Sequence, residues 1–224
     1  MTAGFSIVTY TGDCAASGTI GHGLGVAPQM IMVKNRDVAD DGAVYHIGTD
    51  ATSPENYFLK LFSTSNGTAA RSDTGAMWND TSPTSTVFSV GTEDNVNAST
   101  EDYVAYCFAP VDGYSSFGSY TGNGSNDGPF LYTGFRPRWV MLKRVDFSPV
   151  NWFVIDTARQ EYNDATPRIL FPSSSLAETP AAAFDILSNG FKIRTAAGSY
   201  INNSGGTFIY AAFAESPFQY ARAR

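Results

Sequence analysis

The stretch GHGLGVAPQMIMVKNR, Gly21 to Arg36, constrains this chain most, because a second version, YTGFRPRWVMLKR, Tyr132 to Arg144, returns about 110 residues later. In each copy a glycine-containing turn leads to a proline, Pro28 or Pro137. A short apolar run comes next, Met30 to Val33 or Trp139 to Leu142, closed by Lys34 or Lys143. Proline fixes φ and lacks an N–H donor, so it suits the entrance of a strand and not its middle. The run behind it reads as a strand buried on both faces.

The surroundings repeat in the same order. Ser6 to Asp13 answers to Phe117 to Gly124, with Tyr10 and Gly12 falling on Tyr120 and Gly122, and Val96 to Ala109 answers to Ile201 to Ala214 at one constant offset. The expected fold class is all-β: two tandem pseudo-symmetric β-sandwich-like repeats that share an interface or one core. The first repeat spans 4–109 and the second 113–214, and 215–224 is a C-terminal tail packing on both. Pro28 should fall over Pro137 and Tyr103 over Phe208. Phe108 and Phe213, each in an apolar strand closing its half, are expected as core residues.

Aromatics make up 14% of the chain and charged residues only 16%, with many glycines and small polar residues. Such a composition favours strands and tight turns and leaves little material for long helices. The formal net charge of −7 argues against a nucleic-acid partner, since a phosphate-binding surface needs a basic patch. Arg222 and Arg224 are too few to change that. No stretch is long and apolar enough for a bilayer, and the N-terminus shows neither a charged nor an apolar leader region, so neither membrane insertion nor classical export is expected. The sequons at Asn66, Asn79, Asn97, Asn123 and Asn203 read as turn chemistry. Cys14, in a polar loop, and Cys107, in the run YCFA, read as two free thiols.

Strands are expected at 5–11, 30–35, 43–47, 57–62, 87–91 and 102–109. The second half repeats them at 117–121, 138–144, 151–156, 168–171, 184–187, 191–194 and 207–214, with Ser188 to Gly190 as a hairpin turn and a helical turn within 157–164. The glycines Gly21, Gly23 and Gly25 invite a phosphate-loop reading. They lead into a proline and a β run, not a helix N-terminus, so they read as turn residues. Asp37, Asp40 and Asp41 have the oxygen chemistry of a calcium site without its spacing, and a solvated loop is expected. His46 has no second histidine near it in sequence and reads as a satisfied or solvent-facing side chain, so no metal site and no cofactor are expected.

One loop stands out. After Tyr57 to Phe62 come about 20 small polar residues that carry Trp78, flanked by Asn79 and Asp80. A flat apolar ring beside directional donors and acceptors is the chemistry of a sugar platform, so Trp78, Asn79 and Asp80 are the candidate ligand-binding residues. The other reading makes Trp78 a plug under the loop. No catalytic residue is assigned: a Ser or Cys nucleophile needs a histidine base, and neither His22 nor His46 lies in a nucleophile signature.

The succession GFSIVTYTG, GHGLGVAPQMIMVKNR, WNDTSPTSTVFSVG, VNASTEDYVAYCFA, GYSSFGSYTGNGSNDGPFLYTGFRPRWVMLKR, LSNGFKIR and FIYAAFAESPFQYARAR resembles a domain family of tailed bacteriophages and prophages. In that family the domain ends proteins of the tail-fibre or virion structural type. The resemblance covers Gly4 to Arg224 and brings no catalytic or binding residue with it. The resemblance is to the domain alone, without the upstream attachment segment that a long fibre would need, which leaves two functions open. One is a non-enzymatic receptor-binding module for a bacterial surface glycan, and the other is a capsid or tail decoration held by protein contacts. Either implies a protein made in the host cytoplasm and carried on the virion surface. Its partners would be other virion proteins and copies of itself, most simply as a trimer.

Overall fold

The computed structural model describes residues 4–61, 70–72, 75–159, 168–180, 184–196 and 200–215. Residues 216–224 of the expected tail, 160–164 of the expected helical turn and part of the long polar loop lie outside these.

The described chain is all-β, as the composition predicts. The first half holds β1 (Phe5–Thr11), β2 (Gly18–Gly21), β3 (Met30–Asn35), β4 (Gly42–His46), β5 (Tyr57–Leu61), β6 (Arg71–Ser72), β7 (Val87–Val90) and β8 (Asp102–Phe108). The second holds β9 (Ser115–Thr121), β10 (Phe130–Tyr132), β11 (Pro137–Arg144), β12 (Phe153–Asp156), β13 (Arg168–Ile169), β14 (Thr179–Pro180), β15 (Phe184–Leu187), β16 (Gly190–Ile193) and β17 (Thr207–Ala214). Among the described residues the single short α-helix is α1 (Asp94–Asn97).

Two large antiparallel sheets carry the architecture. The first runs β1-β8-β3-β4-β5-β6 and the second β12-β11-β17-β9, so β1-β8-β3-β4 and β9-β17-β11-β12 have one strand order. The registers agree as well: Phe5, Phe108 and Met30 lie abreast in one sheet, and Ser115, Phe213 and Trp139 in the other. Pro28 precedes β3 and Pro137 opens β11, at the entrances where a missing donor does least harm. Tyr103 stacks on Tyr10 at 5.1 Å and 13°, while Phe208 stacks on Tyr120 at 4.9 Å and 13°.

The polar framework corresponds bond by bond. Asn97 Nδ2 donates to the carbonyls of Ala15 and Gly91 and to Asp13, and its Oδ1 accepts from the Asp13 N–H. Asn202 Nδ2 donates to the carbonyls of Ser125 and Thr195 and to Asn123, and its Oδ1 accepts from the Asn123 N–H. Tyr10 Oη donates to the Val96 carbonyl and Tyr120 Oη to that of Ile201, both at 2.7 Å. A Cβ at Gly12 would sit 2.1 Å from the Ala98 oxygen, and one at Gly122 2.3 Å from that of Asn203, so both turns require glycine.

Four layers stack. The pair β2-β7 covers the outer face of the first sheet around Tyr103, Ile31 and Phe88, and β10-β16-β15 covers the second around Phe208, Val140 and Phe191. Between the large sheets lies a third cluster, Met30, Val44, Leu59 and Leu61 from one and Phe117, Met141, Ile209 and Ala211 from the other. Alternation along each strand serves both faces at once, which is why the runs read as continuously apolar. Phe108 and Phe213 are only half-buried at the rim of this middle cluster; the core faces of their strands carry Tyr103, Ala105 and Cys107, and Phe208, Tyr210 and Ala212. Lys143 also faces inward. It is fully buried, donates to the Val150 carbonyl, and desolvation pulls its ammonium down to about 8.

Candidate functional site

Trp78 is 2% exposed, so its face is not offered to a ligand. The ring meets Tyr45 of β4 edge-on at 6.1 Å, and its Nε1–H donates to the Tyr57 carbonyl at 3.2 Å. Two successive left-handed residues, Asn79 at φ 53 and Asp80 at φ 45, turn the chain at the surface and drive the indole under it. Of the expected trio, only Asn79 and Asp80 reach solvent. The acidic loop is occupied internally: Asp37 accepts the Asp102 N–H at 2.6 Å, Asp40 accepts from Asn95, and Asp41 pairs with Lys60 at 2.9 Å. Among the described residues no three His, Cys, Asp or Glu side chains group as a metal site would need, and no helix is long and apolar enough to cross a membrane. Cys14 is exposed and Cys107 buried, both as free thiols.

The strand of the second half that corresponds to β4 is β12, since Met32 faces Val44 as Met141 faces Val154. Where Trp78 closes the first half over β4, the second half has a cleft of about 400 Å³ over β12. Its floor is Phe153, with Ile169 and Val150. Phe171 stands edge-on to Phe153 at 5.6 Å, and Tyr200 lies nearly parallel to it at 6.4 Å and 19°. Tyr200 is 57% exposed and Leu176 61%, so large apolar faces stay open to solvent at the mouth.

Polar groups sit beside these faces. Asn151 and Thr179 line the cleft, and Asn151 Oδ1 is held by the hydroxyl of buried Ser173, which also accepts the Trp152 N–H at 3.1 Å. Glu178, just before Thr179, binds Arg159 at 2.6 Å and Arg168 at 3.5 Å, fixing the segment that carries Leu176 and Thr179. Exposed pairs of this kind order a rim more than they stabilise a fold. The lining comes from separate stretches around residues 150, 170, 178 and 200, so no single stretch of sequence announces it. An aromatic floor, an open tyrosine face and a few directional polar groups can hold a flat amphipathic ligand.

Among curated proteins none matches the sequence. A crystal structure of the STIV MCP is 11% identical, covers 99% of this chain and 100% of its own, and superposes with a TM-score of 0.27, a level that carries no argument about either fold or function. The model of a domain of unknown function, DUF7483, matches residues 1–217, and the chain belongs to that family.

Proposed function

We propose that the protein is a non-enzymatic surface protein of a phage virion, of the tail-fibre or receptor-binding type, and that it recognises a bacterial surface glycan. The observation that carries this reading is the open cleft with Tyr200 parallel to Phe153 and with Asn151 and Thr179 beside them. A pyranose presents an apolar face to stack on a ring and hydroxyls to meet an amide and a hydroxyl. The phage-domain resemblance of the sequence supports the setting. In this reading the halves 4–109 and 113–214 are copies of one unit, and the copy that lost the tryptophan plug took over ligand binding. The protein acts as a homo-oligomer, a trimer in the simplest case, because weak single sites gain strength by multivalency. A glycan array probed with the purified protein tests it: binding to bacterial surface sugars, lost in Tyr200→Ala, is expected, and an array without signal at any sugar contradicts it.

A second reading, a capsid or tail decoration held by protein contacts, is favoured by a different feature, the half-bare apolar face of the first sheet. Fixed stoichiometry on a particle together with no glycan binding would select it.

A further inference from the structure

Among the described residues, the face of the first sheet opposite the Trp78 core is only partly covered. Phe5, Phe108 and Met30 form one row across β1, β8 and β3; Ile7, Tyr106 and Met32 form the next, and Thr9, Val104 and Lys34 the third. Met30 is buried beneath the second sheet, but Phe5 is 44% exposed and Ile7 56%, and Tyr106, Met32 and Val104 are half-open. The corresponding rows of the second sheet are Ser115, Phe213 and Trp139; Phe117, Ala211 and Met141; and Ser119, Ile209 and Lys143. There Phe117, Ala211, Met141 and Ile209 are buried, in one cluster with Val44, Leu59 and Leu61 of the first sheet. One and the same face is covered in one half and half-bare in the other.

The bare part is continuous with the sheet–sheet interface. The Phe5 ring lies 4.8 Å from Phe108, which in turn lies 5.8 Å from Phe213 and 6.4 Å from Phe117. Three strands about 4.8 Å apart and six residues long give a face of roughly 14 by 20 Å, on the order of 300 Å². Met30 is buried and Thr9 and Lys34 are polar, so the open apolar part is smaller, centred on Phe5, Ile7 and Tyr106. An open apolar patch that continues a buried interface is a place where a contact is expected. The one charge in these rows, Lys34, is turned to the carbonyls of Val38 and Asp40. These three rows therefore offer a charged partner little to pair with.

We propose that the occupant is a second copy of this chain, so that the sheet packing found between the halves is repeated between molecules. This names the surface behind the homo-oligomer of the reading above and rests on that part of it alone. A face of this size falls short of the roughly 800 Å² per partner of a standard stable interface, so the contact is weak in dilute solution and firm where copies are held together. Each copy carries a net charge of −7, so long-range repulsion opposes the contact and added salt strengthens it.

Sedimentation equilibrium of the full chain, from low to high micromolar and at low and high salt, tests the proposal. The mass is expected to rise above the 24.0 kDa of one chain with concentration and further with salt. Ile7→Glu, at an exposed strand position, should weaken association at least tenfold without changing the melting temperature, as should Phe5→Ser, which installs the residue found at the matching place in β9. Tyr132→Glu, at a 67% exposed aromatic on another surface, should leave association intact. A wild-type chain that stays single at high micromolar overturns the proposal, whatever else binds the face. So does association that survives both Ile7→Glu and Phe5→Ser. A single chain that still binds glycan would sink this surface while leaving the cleft reading in place.

Discussion

His46 on β4 and Tyr210 on β17 are joined across the two large sheets: the imidazole Nε2–H donates to the Tyr210 carbonyl at 3.0 Å, while Nδ1 accepts the Gly48 N–H at 3.0 Å. Both partners fix the neutral tautomer, because one nitrogen faces an acceptor and the other a donor. Burial pushes the imidazole from 6.5 down to about 4, against the smaller upward pull of the Tyr210 carbonyl. Between these values the unfolded chain binds a proton that the folded chain refuses. Stability is therefore whole above pH 6.5 and falls as pH drops towards 4, by about 3 kcal/mol at the limit. Urea melts at steps from about pH 7 to 4 check this, and His46→Gln should flatten the slope. A flat wild-type profile in that window contradicts it.

Asn97 and Asn202 predict equal losses in the two halves. Each is buried and donates to two backbone carbonyls, which hold two loops together. Replacing either by alanine removes both bonds and should cost about 1 to 3 kcal/mol. Chemical denaturation of the two variants measures it; a loss in one half only would show that the matching networks do unequal work.

The thiols should differ sharply in reactivity. Cys14 is exposed at a turn, whereas Cys107 is fully buried and desolvation raises its thiol to about 12. Native protein should take up one equivalent of a thiol reagent quickly and the second only on unfolding. Rapid uptake of two would mean that the first-half core opens readily.

Much of the fold is legible in the sequence because local chemistry marks it. Proline before an apolar run places β3 and β11, the Ser188-Asn189 turn places the β15-β16 hairpin, and the constant offset of the closing strands matches their shared register. β2 and β10 escape notice because GTIG and FLY are too short to show a period. Phe108 and Phe213 look like core from their strands alone. Which face of a strand is covered depends on where the second sheet lies, and no local pattern reports that. The site shows the same limit. Trp78 has the neighbours of a sugar platform, yet Tyr45 and the left-handed turn bury it. Tyr200 draws no attention in GSYINNS, and its place in the cleft lining appears only when β12 and β13 bring Phe153 and Ile169 beside it.

Trp78→Ala should lower stability by about 3 to 5 kcal/mol, the range for emptying a large buried aromatic site. Thermal melts read this directly. Near-native stability would return the ring to the surface and reopen the loop as a ligand site.

The measurement closest to the central claim compares Tyr200→Ala with wild type in glycan and host-cell binding, with melting curves on the same samples. Tyr200 is mostly exposed, so its removal should change stability by less than about 1 kcal/mol. The account predicts a folded variant that has lost binding at least tenfold. A folded Tyr200→Ala protein that binds glycan as well as wild type would contradict it.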